Sequence, residues 1–269
     1  MITSLSNQRI KHLVLLSSKS RERNKEQSFI IEGFKMFEEI PLNLIKEVYI
    51  EENTLKKMEE SFAEAPSSLL GECFKKFNSL DEKSVVKEIV SSDVFKKASD
   101  TETPQGIIVV ARMLGYKLSN MLSGNLLILE DIQDPGNLGT MIRTAEGAGV
   151  KGIIMSKGTV DIYNPKTIRS TMGSLFRMPF VYVDDLVAAI DEVKRKGIKV
   201  YAAHLKGEAF FDEIEYNGFS AALIGNEGNG LKKETADSAD IYVKIPMEGK
   251  LESLNAAIAA ALMMYRMRG

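Results

Sequence analysis

Asn226 and Glu227 sit in a run that reads Leu-Ile-Gly-Asn-Glu-Gly-Asn-Gly-Leu from Leu223 to Leu231. Ser253 and Asn255 sit in a second glycine-bearing stretch, which leaves Ile245 and passes into an alanine-rich segment ending near Ala261. Each stretch follows a short apolar segment of strand character, and polar groups just beyond strand ends are where α/β folds collect their ligands. The glycines let a backbone approach a ligand with no Cβ in the way. These two loops mark the expected active centre.

A third stretch, Asn137-Leu138-Gly139-Thr140-Met141-Ile142-Arg143-Thr144-Ala145, opens a helix. Asn137 suits its N-cap. Arg143 lies about one and a half turns further on, among small and apolar residues, where a guanidinium needs a partner. Two readings stay open: a salt bridge to Glu146 or Asp134, or an anion-binding role. Two other glycine patterns carry no nucleotide chemistry. Gly147-Ala148-Gly149-Val150-Lys151-Gly152 spells the dinucleotide fingerprint, but it lies after a helix and before a strand, the reverse of the order that puts a pyrophosphate on a helix N-terminus. Gly225 to Gly230 is not a phosphate loop, because Leu231 stands where the lysine belongs.

Positioning these residues requires a sizeable fold, and 269 residues supply one large or two ordinary domains. Apolar residues at 44% and charged residues at 27% are those of an ordinary globular protein. A net charge of -2 excludes a general polycation, so any nucleic-acid contact must come from a local patch. The N-terminal stretch offers one: Arg9, Lys11, Lys19, Arg21, Arg23, Lys25 and Lys35 stand against Glu22, Glu26 and Glu32. A solvated helix surface explains the same run. Cys73 is the only cysteine, and His12 and His204 the only histidines, so neither a disulfide nor a Cys/His zinc cluster is expected. No segment has the apolar length of a signal peptide or membrane span, which makes a cytoplasmic protein the default.

The pattern predicts an α/β/α module over residues 1–112, with strands at Ser28 to Glu32, Val48 to Ile50, Val85 to Ile89 and Ile107 to Ala111, and a polar loop from Ser17 to Gln27. Residues 113–125, rich in Gly, Ser and Asn, read as a linker. From 126 to 269, strands at Leu126, Gly152, Phe180, Lys199, Ala221 and Ile241 alternate with helices, the last one opening at Ser253, as a mostly parallel sheet requires.

Taken together, Asn137-x-Gly139-x-x-x-Arg143-Thr144-Ala145, Ile224-Gly225-Asn226-Glu227-x-x-Gly230 and Ile245-Pro246-Met247-x-Gly249-x-x-x-Ser253-Leu254-Asn255-x-x-x-Ala259 resemble the three motifs of the SpoU (TrmH-like) family of RNA ribose 2'-O-methyltransferases, of the SPOUT class. The resemblance covers roughly Leu126 to Met267, and the N-terminal part is similar to the ribosomal-protein-like substrate-binding domain that often precedes it. It implies a trefoil-knotted, mostly parallel α/β sheet behind a smaller RNA-binding domain, acting as a homodimer without a metal. S-adenosylmethionine is then expected at Gly225, Ile245, Leu254, His204 and Asn226. Arg143 would activate the ribose hydroxyl, with Asn137, Ser253, Asn255 and Glu227 orienting the groups. RNA, ribosomal rather than transfer, would be gripped by Arg9, Lys11, Arg21, Arg23 and Lys25. The competing readings are a non-catalytic RNA-binding module of ribosome assembly and a transfer RNA methyltransferase. An oxidoreductase fails for want of a correctly placed dinucleotide fingerprint.

Overall fold

A computed structural model describes residues 1–248, 250 and 253–268. Gly249 of the third motif lies outside the described residues. The chain divides into two compact units, one built from Met1–Leu114 together with Tyr163–Phe176, the other from Gly115–Ile162 and Arg177–Gly269.

The first unit runs α1 (Gln8–Ser18), α2 (Ser20–Glu26), β1 (Ser28–Glu32), α3 (Phe34–Glu39), β2 (Ile45–Glu51), α4 (Glu52–Glu64), α5 (Leu69–Ser79), β3 (Val86–Val90), α6 (Ser92–Ala98) and β4 (Ile107–Arg112). Its four strands form one sheet in the order β1-β4-β2-β3, antiparallel except where β2 meets β3. Leu13 and Leu16 of α1, Phe95 of α6 and Tyr49 of β2 share one core beneath it. The expected loop from Ser17 to Gln27 is instead largely helix α2. Its charged residues are good helix formers, Lys25 pairs with Glu22 one turn away, and Gln27 closes the helix in the left-handed region at φ 49°.

The second unit contains β5 (Leu126–Leu129), α7 (Pro135–Gly147) and β6 (Gly152–Ser156). The chain next supplies α8 (Pro165–Thr171) to the first unit, where Tyr163 meets Phe29 with ring centroids 4.5 Å apart. It then completes the second unit with β7 (Phe180–Val183), α9 (Leu186–Arg195), β8 (Lys199–Ala203), β9 (Ala209–Phe210), β10 (Ser220–Ile224), α10 (Lys233–Asp237), β11 (Ile241–Lys244) and α11 (Ala256–Arg268). All seven strands pair in parallel in the order β7-β6-β5-β10-β8-β11-β9. Central β5 and β10 are buried along their whole length, as parallel strands covered on both faces must be. Parallel pairing puts the C-terminal ends of neighbouring β5, β10, β8 and β11 at one edge, so the loops that follow them meet there. β9 was not foreseen, since two residues carry no readable period.

Two helix starts differ from expectation. Helix α7 begins at Pro135, with Asp134 as its N-cap accepting from Asn137 N at 2.8 Å. Proline has no N–H to leave orphaned, so it occupies the first turn without loss. Asn137 therefore lies inside the helix rather than at its cap. Helix α11 begins at Ala256, and the capping side chain is Asn255, whose Oδ1 accepts from Ala257 N and Ile258 N. Ser253 precedes it, outside any helix or strand.

Candidate active site

Two adjoining cavities open where the loops after β5, β8, β10 and β11 converge. The first, about 340 Å³, is lined by Ala203 at the end of β8 and His204 just after it, by Ile224 to Leu231, and by Ile245, Met247, Ser253, Leu254, Ala256 and Ala259. Its walls are mainly aliphatic side chains and loop backbone, the composition of small-molecule sites. Gly225 explains how the loop turns so tightly at its floor. A Cβ there would stand 2.6 Å from Gly230 O and closer still to Gly230 C and Leu231 N. The two limbs of the turn lie against each other at this point, and only hydrogen fits between them. Asn226 and Gly230 close the turn with paired backbone bonds of 3.1 and 2.9 Å.

His204 stacks on Tyr242 with centroids 4.8 Å apart. Its Nδ1 accepts from Lys206 N at 3.1 Å, and its Nε2 has no partner among the described residues. The Asn226 side chain is spent on backbone: Nδ2 donates to Asp131 O in the loop after β5 at 2.7 Å, while Oδ1 accepts from Gly228 N and Asn229 N of its own loop. Asn226 thus shapes the pocket rather than offering it an amide.

The second cavity, about 560 Å³, shares Asn226, Glu227, Gly228, Ser253, Leu254 and Ala256 with the first and adds Gln133, Asp134, Asn137 and Asn255. A continuous hydrogen-bonded chain runs along it. Glu227 accepts from Gln133 N at 3.0 Å, Asp134 N at 3.1 Å and Asn137 Nδ2 at 3.1 Å. Asn137 Oδ1 in turn accepts from Asn255 Nδ2 at 3.0 Å. Desolvation would raise the Glu227 pKa, but these donors outweigh it and hold the carboxyl below its ordinary value. With both amides and the carboxylate committed to one another, Ser253 is different: its hydroxyl has no partner among the described residues and stands on the wall common to both cavities.

Arg143 is not brought to either cavity. It lies six residues beyond Asn137, about 9 Å along the helix and on another side of it, and it is exposed. Neither expected salt bridge forms among the described residues. Glu146 pairs with Arg177, and Asp134 serves as the α7 cap.

The basic N-terminal set divides. Lys11 and Arg21 are exposed, and Lys25 is exposed beside Glu22. Arg9 lies 3.7 and 3.5 Å from Glu47 and Glu88. Arg23 is only 3% exposed, and its guanidinium donates to Leu16 O at 2.8 Å and Ser17 O at 3.0 Å, closing the C-terminal end of α1. Arg23 is therefore a folding residue, which corrects its place among RNA contacts. The charge run alone could not reveal this, because a buried arginine and a solvated one have the same letter.

Sequence reasoning also missed a set of residues behind the Gly225 loop. Glu130, 2% exposed, accepts from Lys232 N at 2.8 Å and Thr235 Oγ1 at 2.5 Å. Asp131 is bonded through Ser156 Oγ at 2.7 Å and Lys232 Nζ at 2.8 Å. Two adjacent carboxylates leaving a fully apolar strand were the available signal.

Known proteins place this arrangement. Residues 124–265 match the model of the SpoU rRNA methylase family, and residues 7–109 match an MRM3-like substrate-binding domain. The chain is 36% identical over 270 residues to the 23S rRNA (guanosine(2553)-2'-O)-methyltransferase RlmP of Bacillus subtilis, covering 100% of this chain and 99% of that one. It superposes with TM-score 0.83 on an AdoMet-bound rRNA methyltransferase from Sinorhizobium meliloti, at 28% identity and covering 99% and 96% of the two chains. A putative RNA methyltransferase of the TrmH family from Porphyromonas gingivalis gives 0.80 at 29% identity, covering 98% of each. With the family model spanning more than half of its length and a relative matched from end to end, the chain belongs to the SpoU rRNA methylase family.

Proposed function

We propose that this protein transfers a methyl group from S-adenosylmethionine to a ribose 2'-hydroxyl in ribosomal RNA, with a guanosine of 23S rRNA as its target. One observation carries the reading: an apolar cavity built around the tight Gly225 turn shares a wall, including the Ser253 hydroxyl that has no partner among the described residues, with a polar cavity large enough for a nucleotide. The full-length likeness to a 23S rRNA guanosine methyltransferase supports the choice of substrate.

The residues present fit the cofactor. Gly225, Ile245 and Leu254 would hold it through backbone and aliphatic surface, His204 would present its ring at one end, and Asn226 would keep the loop closed. When bound, the cofactor supplies a methyl group already activated on a sulfonium. What remains for the protein is to align a ribose oxygen with that methyl and weaken the hold on its proton, alignment alone being worth several kcal/mol. Ser253 is placed to orient the ribose from the shared wall, and the Glu227–Asn137–Asn255 chain keeps the acceptor pocket rigid.

Arg143 is the proposed activator. An arginine stays charged in proteins, so it acts by lowering the hydroxyl's pKa and gripping a phosphate, and the ribose proton passes to solvent rather than to the guanidinium. Helix α7, which exposes Arg143, packs against α11, where Ile258, Leu262 and Tyr265 form an exposed apolar strip. Pairing of two copies through that strip would carry Arg143 to the subunit boundary, and a homodimer is part of the proposal. The trefoil threading of the C-terminal loops belongs to it too, supported by the insertion of β10 between β5 and β8. RNA contacts fall to Lys11, Arg21, Lys25 and Arg9 in a substrate-binding N-terminal domain over residues 1–112, joined through residues 113–125 to a methyltransferase domain over 126–269. Among the described residues no helix is long and apolar enough to cross a membrane, and the proposed site of action is the cytoplasm, where ribosomes are made.

Labelled S-adenosylmethionine, offered with purified 23S rRNA and separately with transfer RNA, tests the reading. Label recovered on a ribose of 23S rRNA, lost with Arg143→Ala and largely lost with Arg143→Lys, is the expected result. Binding of RNA with no transfer and no cofactor affinity would leave a non-catalytic assembly module instead.

A further inference from the structure

The loop from Gly225 to Leu231 has two faces. One lines the apolar cavity; the other lines a separate cavity of about 530 Å³ with Glu130, Asp131, Gln133 and Lys232. The loop is thus a thin partition whose position decides the shape of the proposed cofactor pocket.

On that second face both ends of the loop are tied to one residue. Asp131 O accepts from Asn226 Nδ2 at 2.7 Å, at the loop's start. The Asp131 carboxylate accepts from Lys232 Nζ at 2.8 Å, at the loop's end. Asp131 is itself held, its N donating to Ser156 Oγ at 2.8 Å and its Oδ1 accepting from the same hydroxyl at 2.7 Å. Its backbone has φ 53°, a left-handed conformation uncommon outside glycine, asparagine and aspartate. That turn aims the carbonyl at Asn226 while the side chain meets Lys232. The neighbouring Glu130 receives the Lys232 N–H from within the core. Such a conformation persists where the surroundings over-determine it, commonly beside functional sites.

We infer that Asp131 and Lys232 are positioning residues for cofactor binding, acting through the Gly225 loop without lining the apolar cavity themselves. The inference rests on the methyltransferase reading above. An ion pair merely decorating the surface would contribute little. This one differs because it joins the loop's end to the residue that holds its start. Lysine's pKa is raised by the Asp131 hydrogen bond and attraction, and the Asp131 pKa is lowered by Lys232 and Ser156, in keeping with a formed pair.

Calorimetric titration of the full chain with S-adenosylmethionine tests it, comparing wild type, Lys232→Met, Asp131→Asn, the double variant and Lys232→Arg. Networks of this kind shift a coupled affinity by roughly tenfold. The expected outcome is a Kd raised about that much in each single variant, no further loss in the double, and recovery in Lys232→Arg. KM for the cofactor should rise with it while kcat at saturation stays within about twofold, and thermal midpoints should remain close to wild type. Unchanged Kd in both single variants, or losses that multiply in the double, would overturn the inference. So would lost affinity that tracks a lowered thermal midpoint and is not rescued by arginine. A wild-type chain that does not bind S-adenosylmethionine would instead overturn the methyltransferase reading on which it stands.

Discussion

The amide of Asn255 donates to Oδ1 of Asn137 at 3.0 Å across 118 residues of sequence. The same two side chains do second jobs, Asn255 capping α11 and Asn137 donating to Glu227. The first and third sequence motifs are therefore one object, closed by the second.

Asn255→Ala removes the cap and this link together. Loss of a cap costs about 1 kcal/mol, so the thermal midpoint should fall by a few degrees. Methyl transfer should fall much further, because Asn137 loses its fixed orientation at the polar cavity. Equal, small losses in stability and rate would show that the link has no role in the site.

Glu227 gives a pH dependence with a definite sign. Its pKa is depressed in the folded chain, where the donors of Gln133, Asn137 and Asp134 outweigh desolvation. The stabilisation it provides is full above the ordinary glutamate value near ~4.3 and is lost as pH falls through the lower folded value. Acid unfolding of wild type and Glu227→Gln should therefore differ least at the acid end and most near neutrality. Identical curves across that window would remove the carboxylate from the account.

Gly225→Ala places a methyl against the Gly230 and Leu231 backbone, which cannot yield as a flexible side chain could. Overpacking of this kind costs ~1–3 kcal/mol, and the distortion falls on the wall of the proposed cofactor cavity. Cofactor affinity should be lost while RNA affinity, which the proposal assigns to the N-terminal residues, is retained. A tightly binding alanine variant would mean that the turn is looser than the geometry indicates.

Arg23→Met tests the division of the basic run. It strands two carbonyls at the end of α1, each worth about 1–3 kcal/mol when buried without a donor, so thermal stability should drop. Lys11→Ala and Arg21→Ala should leave stability alone and weaken RNA binding more at low salt than at high salt. Reduced RNA affinity in Arg23→Met at full stability would reverse the assignment.

Much of this was legible in the chain itself. Runs such as Leu126 to Leu129 and Ala221 to Gly225 read as strands in a mostly parallel sheet, which the pairing bears out. Three motifs in order named the loops of the site, because glycine spacing and cap residues are local properties that tertiary context seldom overrides. What the tertiary structure decided was how those side chains are used. Asp134 rather than Asn137 caps α7, and Asn255 rather than Ser253 caps α11, since several residues of similar cap preference compete within a turn or two and only the path of the chain chooses. Arg23 is buried and Arg143 exposed, a difference set by what packs around each. Segment 163–176 joins the first unit although it lies far along the chain. The Ser156–Asp131–Lys232 tie brings together residues separated by up to 101 positions, and partners that distant leave no periodic trace in sequence: their meeting is fixed by strand order, which pairing across the whole sheet determines.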